Sequence, residues 1–242
     1  MTELRIILAD MDDTVLIHDV FADDLWRMVL ENESSIDSSR RDAMWSAIVR
    51  ERRRFWSDPE RAAQGRLDMA RARSMFVGSA MLEATGAVDM DLVSALVGEF
   101  SERREQSVVL EDSTRRALVS LRGAGYSLGL VTNGGADSQR SKVERFGLDA
   151  LFDEVVIEGE LGFGKPDRRI YEFAIERLGG DEGSSVMIGD NWEWEVEAPT
   201  SYGLNAVWIR RTGEAPPGPV PAANYLGQAS DFAGAVAKFL EF

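Results

Sequence analysis

The chain has no cysteine among its 242 residues. That absence excludes disulfides, thiolate metal sites and a cysteine nucleophile. There is also no run of about 18 apolar residues, so no transmembrane helix is expected. The opening "MTE" leads straight into an apolar stretch without a basic segment before it, so no signal peptide is expected. Together with the missing cysteines this points to a cytoplasmic protein. Positive charge is scarce: the formal net charge is −15. A field of that sign argues against nucleic acid as a partner, and nothing in the chain suggests a membrane partner. Lysine occurs only at Lys142, Lys165 and Lys238, the remaining basic residues being nearly all arginine.

What is present is an ordinary globular composition, 44% hydrophobic, long enough for one large domain or a core with a smaller insert. From Ser113 onward strand-like and helix-like stretches alternate. "STRRALVSLRGAG", "SQRSKVERFG", "PDRRIYEFAIERLGG" and "SDFAGAVAKFLEF" read as helices. "YSLGLVTNGG", "DEVVIEGE", "SSVMIGD" and "NAVWIRR" read as strands, as does "LRIIL" near the N-terminus. The third helix has Pro166 at its start and Ile170, Phe173, Ala174 and Leu178 on one face. Alternation of this kind predicts an α/β fold with a parallel sheet covered on both faces. "TGEAPPGPVPAAN" reads as a proline-rich surface loop before a final strand and the closing helix.

Residues 18–107 break the alternation. They show no clear strand and four successive amphipathic stretches, which predict a small inserted helical bundle. Met44, Ala47, Ile48 and Phe55 share a face in the second stretch, Leu67, Ala70, Val77 and Met81 in the third, and Leu92, Leu96 and Phe100 in the fourth.

In an open parallel sheet, ligands bind beyond the carboxyl ends of the strands. Those ends carry Asp10 and Asp12 in "LADMDDTV", then Thr132, Asn133 and Gly134, then Lys165 on a following loop, then Asp190 with Glu193 and Glu195 beyond it. Carboxylates this crowded repel each other unless a cation or a proton separates them. Hard oxygen ligands suit Mg²⁺, while the lysine, the threonine and the amides of a glycine-rich turn suit a phosphate.

With "DMDDT", "VTNGG", "GKPD" and "IGDNWEWE" in this order, the chain resembles the haloacid dehalogenase superfamily of hydrolases over its whole length. The subgroup it resembles carries a helical cap inserted after the first motif. The resemblance implies a Rossmann-like three-layer core at residues 1–17 and 108–242, a helical cap at 18–107, and a Mg²⁺-dependent phosphatase for a small phosphorylated metabolite. It implies Asp10 as nucleophile and Asp12 as general acid and base. It further implies that Thr132, Asn133, Gly134 and Lys165 bind the phosphoryl group, and that Asp10, the backbone carbonyl of Asp12, and Asp190 hold the metal, with Glu195 reaching it through water.

Four positions depart from the family pattern. Asp13 stands where glycine is common and reads as a turn residue. Glu195 replaces an aspartate, with Glu193 as a less suitable substitute. Ala198 and Pro199 replace a small Gly-Ala pair. His18, the only histidine, reads as a hinge-loop side chain rather than a substrate contact. Arg50, Arg53, Arg54, Arg61, Arg66, Arg71 and Arg73 read mostly as solvated faces with acidic neighbours. Trp192 and Trp194 read as cover for apolar surface rather than platforms for a substrate ring. Three other activities stay open on this scaffold. A 2-haloacid dehalogenase is disfavoured because that branch lacks the second acid of the first motif, present here as Asp12. A phosphosugar mutase and a non-catalytic binding protein are the others.

Overall fold

The computed structural model describes residues 4–18, 20–210, 215–221 and 223–240, with residues 239 and 240 described by their backbone alone. The "MTE" opening, Asp19 at the head of the first expected helix, Arg211, parts of the proline-rich stretch (212–214 and 222) and the last two residues lie outside the described residues.

In chain order the elements are β1 (Ile6–Ala9), β2 (Ile17–His18), α1 (Ala22–Asn32), α2 (Ser38–Trp56), α3 (Pro59–Leu67), α4 (Met69–Thr85), α5 (Met90–Gln106) and β3 (Val108–Val109). Then come α6 (Asp112–Gly123), β4 (Ser127–Thr132), α7 (Ala136–Phe146), β5 (Glu154–Ile157), α8 (Glu158–Leu161) and α9 (Arg168–Leu178). β6 (Ser185–Gly189), α10 (Ala198–Ser201), β7 (Asn205–Ile209), β8 (Tyr225–Ala229) and α11 (Phe232–Leu240) complete the chain.

The chain divides into two compact units, Met1–Ile17 with Leu110–Phe242, and His18–Val109. The first is an α/β unit. Its six-stranded sheet has the order β5-β4-β1-β6-β7-β8, and every pairing is parallel. β1 and β6 are buried at every residue, as expected for strands covered on both faces, which is why they read as unbroken apolar runs rather than alternating ones. Leu8 and Met187 pack with Ile170, Tyr171, Ala174 and Ile175 of α9. α9 is set by its ends. The Asp167 carboxylate caps its start by accepting from the Arg169 amide at 3.0 Å, and Gly179 closes it at φ +73°.

The second unit is helical, built around one apolar cluster. Trp26 stacks on Phe100 with centroids 3.9 Å apart, and meets Phe76 edge-on at 6.0 Å. Met44, Ala47, Ile48, Phe55, Leu96 and Phe100 are buried as their spacing predicts. The third expected helix is in fact two. Asp68 ends α3 and caps α4, its carboxylate accepting from the Arg71 amide at 3.0 Å. That break rotates the stripe: Leu67 and Ala70 face solvent, and Ala72, Phe76, Val77, Ala80 and Met81 are buried. The unit therefore has five helices among the described residues rather than four. β2 pairs with β3. Strands of two residues carry no periodicity to read, so neither was expected.

Of the arginines in this unit, Arg50 pairs with Glu83, Arg53 lies 3.8 Å from Asp23, Arg54 3.8 Å from Glu51 and Arg61 3.8 Å from Asp58. These are exposed pairs of the expected solvated kind. Ser107 Oγ donates to the Arg104 carbonyl at 2.8 Å, which leaves it as acceptor for His18 Nδ1 at 3.2 Å.

Candidate active site

β1 lies between β4 and β6 in the sheet. Asp10, directly after β1, therefore has Thr132 at the end of one neighbour and Asp190 beyond the end of the other. This is why residues far apart in sequence meet at one edge.

Lys165 is 1% exposed. Its Nζ lies 2.6 Å from Asp10 Oδ1 and 2.8 Å from Glu195 Oε1. Burial alone would strip its proton, yet the two carboxylates hold its pKa above that of an ordinary lysine. Asn133 fixes the backbone of Lys165: its Nδ2 donates to the Lys165 carbonyl at 2.7 Å, and its Oδ1 accepts the Lys165 amide at 2.8 Å. The Gly134 amide donates to Glu158 Oε2 at 2.9 Å. The sequence reading gave the backbone amides near Asn133, together with Thr132, to phosphate. The Asn133 side chain places Lys165, which leaves the expectation for its own amide untouched, and the Gly134 amide bonds Glu158. Thr132 is buried; its Oγ accepts from Gln139 Nε2 at 2.7 Å and donates a long bond, 3.4 Å, to the Asn133 carbonyl.

The carboxylates here are under electrostatic stress. Asp10 is raised above its ordinary value, burial being the largest cause, with Lys165 opposing and Asp12 adding to it. Glu195, fully buried, is pushed up to about 8 by burial, Lys165 opposing while Asp10 and Asp190 add repulsion. Asp190 is pushed up to about 7 by burial, with Asp10 and Asp13 adding repulsion and Lys165 opposing. Its side chain nonetheless reaches solvent, so water screens part of that penalty. Asp13 sits in a left-handed turn at φ +59°, a conformation aspartate tolerates.

Glu195 projects from a π-helical turn, Glu193–Glu197, a form frequent at functional sites. Pro199 has no N–H for the carbonyl five residues back, that of Trp194, and the Tyr171 hydroxyl donates to that carbonyl instead. Glu195 lies flat on Gly189, where an added Cβ would stand 2.0 Å from Glu195 Cγ. Trp192 is buried edge-on against Trp208 and Tyr225, at 5.0 and 5.6 Å, as a covering residue would be.

Among the described residues no three His, Cys, Asp or Glu side chains are gathered into a ready-made metal cage. Mg²⁺ does not need one. It is held through one or two carboxylates, with waters and substrate oxygens completing the shell. Asp10 and Asp190, mutually repelling hard-oxygen donors at adjacent strand ends, fit that habit. Glu195 places its Oε1 on Lys165 and keeps its Oε2 buried with no hydrogen-bond partner among the described residues.

Two residues of this site were not anticipated, Gln139 and Lys142 of α7. Lys142 Nζ lies 2.8 and 2.9 Å from the two Asp12 oxygens, and Gln139 Nε2 lies 2.9 Å from Asp12 Oδ2. The available signal was that α7 lacks an apolar stripe. Its buried residues are Gln139, Lys142 and Val143, so a polar face had to be buried against something polar.

A family description, haloacid dehalogenase-like hydrolase, matches residues 4–203. The chain is 37% identical over 97 residues to a glyceraldehyde 3-phosphate phosphatase of Methanothermobacter thermautotrophicus, covering 40% of this chain and 43% of that protein. It is 37% identical over 134 residues to a phosphoserine phosphatase of Thermus thermophilus, covering 54% and 52%. The chain thus spans about half the length of the curated relatives it matches. The crystal structure of the HAD-hydrolase YfnB from Bacillus subtilis, bound to magnesium, superposes with a TM-score of 0.72 at 19% identity, covering 98% of this chain and 99% of that one. At that identity the likeness is one of fold. The family match takes in every strand-end residue described above, from Asp10 to Glu195, and the chain belongs to the haloacid dehalogenase-like hydrolases.

Proposed function

We propose that the protein is a Mg²⁺-dependent phosphatase that hydrolyses a small phosphomonoester through an aspartyl-phosphate on Asp10. The observation that carries this reading is the setting of Asp10. It is an oxygen nucleophile at a central strand end, with one oxygen 2.6 Å from the Lys165 ammonium and a second acid, Asp12, two residues on. The two relatives named as phosphatases of small phosphorylated compounds support it.

In the first step a carboxylate oxygen of Asp10 attacks phosphorus, the P–O bond to the leaving group breaks, and Asp12 gives that oxygen its proton. In the second, Asp12 takes a proton from water as the water oxygen attacks the acyl phosphate. Inorganic phosphate leaves and Asp10 is restored. Lys165 neutralises charge on Asp10 and on the transferring group, and the Thr132 hydroxyl donates to a phosphoryl oxygen. Bound Mg²⁺, held by Asp10, Asp190 and the Asp12 carbonyl, supplies charge stabilisation of the phosphoryl oxygens. Glu195 holds Lys165 through its Oε1, and its Oε2 is left for a metal-bound water. The helical unit is the cap, and it selects the substrate.

A screen of phosphate release over sugar phosphates, nucleotides and small acid phosphates tests this. Turnover is expected with Mg²⁺ and lost with EDTA. Mg²⁺ is also expected to raise the melting temperature more at higher pH, because the metal binds the ionised forms of Asp10 and Asp190, both of which burial raises. Activity that survives EDTA would favour a dehalogenase attacking carbon. Phosphate returned to the substrate would mark a mutase. Failure over the whole panel would favour a non-catalytic binding protein.

A further inference from the structure

We infer that Gln139 and Lys142 form a dock for the Asp12 carboxylate, and so are positioning residues for the proton-carrying group of the reaction. The inference rests on the hydrolytic reading above. Lys142 Nζ has three acceptors: Asp12 Oδ1 at 2.8 Å, Asp12 Oδ2 at 2.9 Å and Gln139 Oε1 at 3.0 Å. An ammonium carries three protons, so all of them are spent inside the cluster. This separates Lys142 from Lys165. Lys142 has no proton left for a phosphoryl oxygen, and its work is to orient Asp12.

Gln139 extends the dock to the phosphate side. Its Nε2 lies 2.9 Å from Asp12 Oδ2, 2.7 Å from Thr132 Oγ1 and 3.0 Å from the Asn133 carbonyl. Its two protons are shared among those three acceptors. One amide thus ties Asp12 to Thr132. The two side chains are three residues apart on α7, hence on one helix face, and are 3% and 8% exposed. A surface ion pair is loose and solvated; here the lysine end is buried, while the Asp12 side chain is 32% exposed on the side a substrate would approach. The backbone of Asp12 is fixed as well, by a bridge to Leu16. Both the main chain and the carboxylate of Asp12 are therefore held in place.

The leaving group provides the test. An alkoxide needs a proton as it departs, whereas a nitrophenolate does not. The ratio kcat/KM reports the steps up to the first irreversible one, here transfer to Asp10. Lys142→Met is expected to lower kcat/KM for an alkyl phosphate ~100-fold, within the range general acid catalysis contributes. The same variant should change kcat/KM for p-nitrophenyl phosphate less than about 3-fold, while its kcat falls because Asp12 must still activate water. Lys142→Arg should restore part of the alkyl activity. Gln139→Leu, which keeps the helix face filled, should show the same asymmetry on a smaller scale, and it serves if Lys142→Met does not fold. Equal losses for both substrates with a raised KM would overturn the inference by making Lys142 a phosphate ligand. Unchanged kinetics in both folded variants would overturn it by making the cluster structural only. Neither result would touch the phosphatase reading, which is tested separately by phosphate release with and without Mg²⁺ and by the Asp10 variant described below.

Discussion

Asp10→Asn removes turnover of p-nitrophenyl phosphate, by at least ~10⁴-fold, because a carboxamide cannot form the acyl phosphate. The fold survives the change. Asp10 is under strain as an anion, its pKa raised mainly by burial, and the neutral amide relieves that strain. Lys165 keeps its second carboxylate, Glu195 Oε1 at 2.8 Å. The expected pair of results is a melting temperature close to that of the parent and no phosphate release above background. Retained activity in a folded Asp10→Asn protein would mean that another group attacks phosphorus.

Lys165→Met costs both activity and stability. Methionine fills nearly the same volume and removes the charge. Activity should fall ~10³-fold, the scale seen when a preorganised charge-stabilising donor is lost. Asp10 and Glu195 are then left facing each other in the interior with nothing between them. Breaking a buried ion pair from one side costs about 3–5 kcal/mol, on the order of 10 °C in melting temperature for a chain of this size. The loss has a definite pH dependence. Burial already pushes Glu195 up to about 8 in the parent, even with Lys165 beside it. A carboxyl raised in the folded state holds a proton that the unfolded chain has released, so its contribution to stability falls as pH rises from the unfolded value toward the folded one. Without Lys165 that window extends further upward. The gap in melting temperature between parent and variant is therefore expected to be wider at about pH 8.5 than at about pH 5.5. Thermal unfolding at the two pH values checks this, and a gap that is equal or narrower at the alkaline end would contradict the buried-triad description.

How far the sequence could be read follows from the kind of signal each feature leaves. β1, β4, β5 and β6 are buried apolar runs, and the residues that end them are chemically conspicuous, so Asp10, Thr132 and Asp190 could be placed by strand ends alone. Lys165 stood out because lysine is scarce. Asn133 and Gly134 were also visible, but their hydrogen-bond partners were not. The clasp on the Lys165 backbone and the bond to Glu158 are long-range contacts with no local pattern. Glu195 was visible as a family-aligned acid. Its engagement with Lys165 depends on the π turn and on the bare Gly189 beneath it, and neither shows in spacing.

In the helical unit the apolar spacing of α2 and α5 was sound. The stripe assigned across Leu67 and Ala70 failed because an amphipathic pattern can run through a helix break, and the Asp68 cap that makes the break was passed over. Gln139 and Lys142 were missed for the opposite reason. They are polar residues on a helix face that periodicity assigns to solvent, and only the missing apolar stripe of α7 hinted that they are buried.

The central claim is that phosphate passes through Asp10. Its most direct test is to mix the protein with Mg²⁺ and p-nitrophenyl phosphate, quench with acid during turnover, and map the peptides by mass. The account predicts a phosphoryl group on the peptide containing Asp10, absent after Asp10→Asn. Phosphate release without any such adduct, or with the adduct on another residue, would contradict it.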